Sequence, residues 1–283
     1  MNPKTFEQLD KIKPQKNKQT PLCPERKAAV AGIYYPSSKE DLSRELTYLM
    51  DESKKPFMEE TLKALIVPHN KLELSGIVAG AAYNLFRQQL TKKINPTKIV
   101  VLGAPHTIAF NGTALDNSDY WSTPLGKVKI RKINGEKLTF VIKLGEAHQK
   151  DHSVEMQLIF LQEIFEKQKK EFELIPIITG LNDFEAVKSN LKYFLEKENA
   201  FLIISSDLCV SDYDDVIRTD TESKKSILRL EDDRLKEVLQ ACNKPGIIAL
   251  TMLAKELGWK PRLLDYKVSE NETSVGYASI AYY

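Results

Sequence analysis

The chain has 283 residues, and its 41 lysines and arginines against 39 aspartates and glutamates leave a net charge of +2, which excludes a general electrostatic attraction to nucleic acid or anionic membrane. A composition of 42% hydrophobic and 28% charged residues is that of an ordinary globular protein with enough apolar surface for one sizeable core. Cys23, Cys209 and Cys242 form no disulfide framework, no apolar run approaches the roughly 18 residues of a membrane span, and the opening MNPKTFEQLDKIKPQKNK lacks the apolar segment of a secretory signal. These features predict a cytoplasmic protein with reduced thiols.

Residues 1–27 carry seven lysines or arginines against three acids, so they read as a flexible, solvated basic arm. Beyond it the chain alternates. KEDLSRELTYLMDE is a helix by its apolar spacing, LKALIVP a buried strand, SGIVAGAAYNLFRQQL a helix with Ser75 as its N-cap, and KIVVLGA a second strand. HSVEMQLIFLQEIFEKQ then predicts a helix, FELIPIIT a strand, DFEAVKSNLKYFLEKE a helix capped by Asp183, and AFLIISSD a strand. The tail GWKPRLLDYKVSENETSVGYASIAYY reads as two strands around a polar turn. Short, nearly continuous apolar strands alternating with helices imply an α/β fold: a single three-layer domain over residues 28–283 with a largely parallel central sheet. In such a sheet ligands sit beyond the carboxyl ends of the strands.

Two of the four histidines stand at that edge. LKALIVPHNK and KIVVLGAPHTI each end an apolar run in Pro-His, and a proline both lacks an amide donor and biases the residue before it toward extended geometry. His69 and His106 are therefore expected on neighbouring loops. The third run ends in Ser205, Ser206 and Asp207, which adds a carboxylate and two hydroxyls to the same edge. His148 and His152 are four residues apart, a spacing that pairs metal-binding imidazoles on one helix face, but a helix beginning at Ser153 would separate the rings. His152, with Glu155 one turn on, reads as a cap, as a group orienting the site by hydrogen bonding, or as a ligand.

The motifs AGIYYP, VPHNKLELSG, LGAPHT, STPLGKV, AHQKDHSVEMQLIFL, SSD and ACNKPGIIAL, in that order, resemble the Memo-like family, the second component of the AmmeMemoRadiSam set (system protein B). The resemblance implies a fold related to the class III extradiol dioxygenases, in which two histidines and a carboxylate hold iron. Matched motif by motif, the Memo cluster of two histidines and a cysteine falls on His69, His106 and Cys242. Asp207 and His152 are then the candidate catalytic groups. Two imidazoles and a thiolate leave a coordination position open and suit iron or copper, with zinc also compatible.

The chain departs from the family pattern where relatives read HAGY, with His69, Asn70, Lys71 and Leu72, and where a glycine follows the cysteine, with Asn243. The histidine of the family's SSDxxHY falls on Val210, or on Asp212 with a two-residue insertion, so an acid/base imidazole is absent there. Three functions are consistent with this sequence: a metal-dependent oxidoreductase resembling the dioxygenases, a module binding a phosphopeptide or other anionic ligand with help from Lys71, and a metal or redox carrier working with partner proteins of the AmmeMemoRadiSam set. The expected ligand is a small molecule or peptide, with neither nucleic acid nor membrane indicated.

Overall fold

The computed structural model describes residues 24–54, 56–90, 92–270 and 273–283. The first half of the chain runs β1 (Glu25–Arg26), α1 (Lys39–Glu52), β2 (Ala64–Val67), α2 (Leu72–Gln89), β3 (Lys98–Gly103), β4 (Thr113–Leu115), β5 (Tyr120–Thr123), β6 (Gly126–Ile130) and β7 (Val141–Lys143). The second half runs α3 (Glu146–Gln149), α4 (Glu155–Lys167), β8 (Glu173–Thr179), α5 (Phe184–Lys197), β9 (Phe201–Ser205), β10 (Val210–Ser211), α6 (Tyr213–Leu228), α7 (Asp232–Val238), α8 (Lys244–Leu257), β11 (Pro261–Val268) and β12 (Ser274–Tyr282). Among the described residues no helix is long and apolar enough to cross a membrane.

Side-chain alternation along the central strands decides the layering. Leu65 and Val67 of β2, Ile99 and Val101 of β3 and Ile203 of β9 face one core with α1, α2 and α4. Their neighbours Ala64, Ile66, Val100, Leu102, Leu202 and Ile204 face a second core with α5, α7 and α8. The sheet is thus covered on both sides, as its uninterrupted apolar runs require. The strand order is β1-β5-β6-β8-β3-β9-β2-β12-β10, with β11 added on β12, β4 on β8 and β7 on β4. The centre, β8-β3-β9-β2, is parallel. Antiparallel pairs flank it: β12 on β2 and β11 on β12 at one side, β5 on β6 and β4 on β8 at the other.

The elements read from periodicity, α1, β2, α2, β3, α4, β8, α5, β9, β11 and β12, fall close to their expected places, whereas helices α6, α7 and α8 were not read; Asp183 caps α5 by accepting the Glu185 N–H. Two boundaries differ. Helix α2 begins at Leu72, with Lys71 at the cap, so Ser75 lies inside the first turn and donates its hydroxyl to the Asn70 carbonyl at 3.0 Å. At the other boundary Glu25 and Arg26, read from composition as part of the basic arm, already form β1 beside β5. Arg26 is fully buried, because its charge is matched by Glu155 rather than by water. Residues 1–23 of the expected arm lie outside the described residues.

Register brings the site loops to one level. Val67 of β2 is opposite Ser205 of β9, and Leu102 of β3 is opposite Ile204, so β2, β9 and β3 end together. His69 follows β2 by two residues, Asp207 follows β9 by two, and His106 follows β3 by three. Gly103, the last residue of β3, lets the segment before α4 close over this edge, since a Cβ there would overlap Ser153 Oγ.

Candidate metal centre

Three imidazoles meet at this edge. The ring centroids of His69 and His106 are 4.9 Å apart, those of His69 and His152 5.3 Å, and those of His106 and His152 4.3 Å. One ring nitrogen from each lies within 4.8 Å of the others. His69 is buried; the His106 side chain keeps 28% of its exposure and opens the cluster toward solvent.

Each of the first two rings is held at Nδ1. His69 Nδ1 lies 3.0 Å from Ser205 Oγ. His106 donates its backbone N–H to Asp151 Oδ2 at 2.8 Å, and its Nδ1 lies 3.1 Å from the same oxygen. Asp151 is buried, and its Oδ1 accepts the Ser153 N–H and hydroxyl at 2.8 and 2.6 Å. Burial alone would raise the Asp151 pKa, but His106 and Ser153 outweigh it and hold the carboxyl well below its usual range. His106 shows the converse: partial burial disfavours its charge, yet Asp151 and Cys242 together push its pKa up to about 10. His69 is driven well below its ordinary value, first by burial and then by the neighbouring imidazoles. His152 falls to about 4 for the same reasons, with burial first and His106 second.

Cys242 comes from the loop before α8. Its Sγ lies 3.3 Å from His69 Nε2 and accepts the Asp207 N–H at 3.1 Å. Asp207 ties two loops together, because its Oδ1 accepts the His69 N–H at 2.8 Å and its carbonyl accepts the Cys242 N–H at 3.2 Å. Burial raises the Asp207 pKa to about 6, with the His69 N–H opposing that rise. Asn243, the residue in place of the family glycine, is fully buried and anchors the same loop. Its Nδ2 donates to the carbonyls of Leu102 (2.8 Å) and Ser205 (3.2 Å), and its Oδ1 caps α8 at Gly246 N.

His69, His106, Cys242, Asp207 and His152 thus share one neighbourhood. His148 does not: it sits in α3, fully buried, with Nε2 3.2 Å from the Ala114 carbonyl and its ring against Trp121. Helix α4 begins after His152, so the two histidines share no helix face. Val210 is 57% exposed on the edge strand β10, and Asp212 caps α6 by accepting the Asp215 N–H at 3.0 Å.

The linear sequence does not show which residues support the rings, although it places Ser205 at the same edge. Asp151 holds the His106 ring from 45 residues away, Ser205 holds the His69 ring from 136, and Gln157 donates to Ser205. Glu155 accepts from Arg26, from the N–H groups of Ala29 and Val30, and from the Tyr35 hydroxyl, binding residues 26–35 to the segment that carries His152. Tyr34 then packs its ring 4.8 Å from that of His152, and Lys71 Nζ lies 5.9 Å from the Tyr34 ring. The Asp-His-Ser order at 151–153 was the nearest available clue, since an Asp two residues before a Ser often accepts that backbone N–H.

The family model described as Memo-like protein matches residues 26–283. The chain belongs to the Memo-like family. Among curated Memo relatives, a MEMO1 family protein of Thermoplasma acidophilum is 29% identical over 274 residues, covering 90% of this chain and 97% of its own. One from Methanosarcina barkeri is 30% identical over 275 residues, covering 90% and 98%, and one from Aquifex aeolicus 33% identical over 193 residues, covering 65% and 66%. Of solved structures, an uncharacterized protein of Escherichia coli K12 aligns with 78% of this Memo-like chain and 99% of its own at a TM-score of 0.41 and 11% identity.

The donor set fits a metal ion on its chemistry. Three ring nitrogens converge, a thiol sulfur lies 3.3 Å from His69 Nε2, two of the rings are held by a hydroxyl and a carboxylate behind them, and one side of the cluster is open.

Proposed function

We propose that this Memo-like protein uses the cluster as a mononuclear metal centre, with His69, His106 and Cys242 as ligands and His152 and Asp207 as the groups that orient a bound molecule or carry its protons. The observation that carries the reading is the meeting of three imidazoles within 4.8 Å beside a thiol 3.3 Å from His69 Nε2. A metal held by two imidazoles and a thiolate supplies redox or Lewis-acid chemistry at its open position, and the soft sulfur favours iron or copper, with zinc also compatible. The activity proposed is dioxygenase-like oxidation of a small molecule.

The chain's own residues would serve that chemistry as follows. His152 is uncharged across ordinary pH, so it is available as a proton acceptor beside the open position. Asp207, with its pKa near 6, exchanges protons near neutrality while bracing the His69 and Cys242 loops. Tyr34 shields one side of His152 from water.

Elemental analysis of protein purified without metal-affinity resin tests the reading. About one iron or copper per chain is expected, and the absence of any retained or reconstitutable metal would reject it. A second reading, an anionic-ligand site on the same pocket, is favoured by Lys71, which lies beside the Tyr34 ring and has no carboxylate partner among the described residues. Saturable binding of a phosphopeptide or carboxylate without turnover would favour that alternative.

A further inference from the structure

The hydrogen bonds behind His69 close into a set with one consistent placement of protons. Gln157 is the starting point. Its Nε2 lies 2.9 Å from the carbonyl of Pro68, a pure acceptor, and its Oε1 accepts the Tyr83 hydroxyl at 2.8 Å. Rotating the amide by half a turn would set two oxygens against each other at Pro68, so the amide orientation is fixed. The same Nε2 donates its second hydrogen to Ser205 Oγ at 2.8 Å.

Ser205 is fully buried and has a single hydrogen to give. It gives that hydrogen to the carbonyl of Ser153, again a pure acceptor, at 2.7 Å. Toward His69 Nδ1, 3.0 Å away, Ser205 therefore presents a lone pair. We infer that Ser205 is a positioning residue that keeps the His69 proton on Nδ1, so that the Nε2 lone pair faces Cys242 and the pocket. The reverse assignment would turn the Ser205 hydrogen away from the Ser153 carbonyl and leave that buried oxygen without this donor. The loop after β2, strand β9 and the start of α4 thus impose one tautomer on His69 before anything binds.

This inference deepens the metal-centre reading, because an imidazole already carrying its proton on Nδ1 offers the other nitrogen as a ligand without rearrangement. The proton placement itself does not depend on that reading. The test is long-range ¹H–¹⁵N spectroscopy of metal-free, histidine-labelled protein, with the His69 signals assigned from their loss in His69→Gln. The expected pattern is a protonated Nδ1 and an unprotonated Nε2 at neutral pH. Ser205→Ala should lose this single-tautomer pattern and weaken zinc binding about 10- to 100-fold, and Ser205→Thr, which keeps the hydroxyl, should recover both. A wild-type His69 with its proton on Nε2 overturns the inference, as does a folded Ser205→Ala that keeps the pattern and the zinc affinity. If Ser205→Ala does not fold, the wild-type spectrum decides. A wild type that shows the Nδ1 pattern but takes up no zinc, iron or copper upholds the inference and rejects the metal centre instead.

Discussion

The strand-end loops after β2 and β3, and the segment leading into α4, bring imidazoles to the same pocket but hold them differently. His69 and His106 each have a hydrogen-bond partner behind the ring at Nδ1, Ser205 for one and Asp151 for the other. His152 has no hydrogen-bond partner at either ring nitrogen among the described residues; it is held by packing against Tyr34, His69 and His106. A ring tethered at one nitrogen has its other nitrogen aimed, which suits a ligand. A ring held only by packing can turn and exchange a proton, which suits a group acting on what binds. The difference follows from where each segment lies: strand ends are fixed by the register of the sheet, whereas the 151–157 segment is fixed by what crosses over it.

The largest effect should come from removing a tethered ring. His69→Ala or His106→Ala is expected to reduce metal content from about one per chain to near zero with the fold preserved, measured by elemental analysis beside circular dichroism. Full metal retention in either variant would break the distinction at its root.

Next is the clamp that holds the second segment. Glu155→Ala leaves Arg26 buried without its counter-ion and strips acceptors from Ala29, Val30 and Tyr35, so denaturant unfolding should show a loss of roughly 3–5 kcal/mol. A loss below about 1 kcal/mol would mean that this segment is held mainly by packing.

His152→Ala should act more gently, leaving metal stoichiometry intact while weakening affinity about 10- to 100-fold in a competition titration. Complete loss of metal in that variant would make His152 a third imidazole ligand, and the contrast between tethered and untethered rings would no longer separate ligand from helper.

The effect smallest over any single pH unit is electrostatic, because it is spread across the window between the two pKa values of His106. With metal removed, His106 has a folded pKa of about 10 against roughly 6.5 in an unfolded chain, so its pairing with Asp151 stabilises the fold fully below about pH 6.5. That contribution is lost as pH rises toward 10, with a slope of at most ~1.4 kcal/mol per pH unit for one proton. The His106→Gln variant should flatten this part of the stability profile, and an unchanged profile would show that the pair does not govern it.

Much of this was legible because the relevant signals are local. Pro-His after LKALIV and after KIVVLGA marks both the strand end and the residue delivered there, and AFLIISSD places Asp207 at the same edge. The continuity of those apolar runs was enough to imply a sheet covered on both faces. The short strands β1, β4 and β7 were not readable, since segments of two or three residues carry no period. Nor were the partners of the rings: Ser205 stands 136 residues from His69, and Arg26 is 129 from Glu155, so only the assembled register pairs them. The start of α2 was misplaced because Ser75 has the chemistry of a cap, while the Asn70 carbonyl it meets belongs to a turn that begins earlier.

The β strand order has a consequence for biosynthesis. The pocket brings together His69 and Cys242, 173 residues later, while β2, which leads to His69, is flanked by β9 on one side and by β12, the last strand among the described residues, on the other. As synthesis proceeds from the N-terminus, the two strand-end imidazoles emerge long before the thiol, and the edge of β2 stays unpaired until residues 274–282 leave the ribosome. On the ligand set proposed above, a nascent chain that has not yet exposed Cys242 would present the two strand-end imidazoles without the thiol.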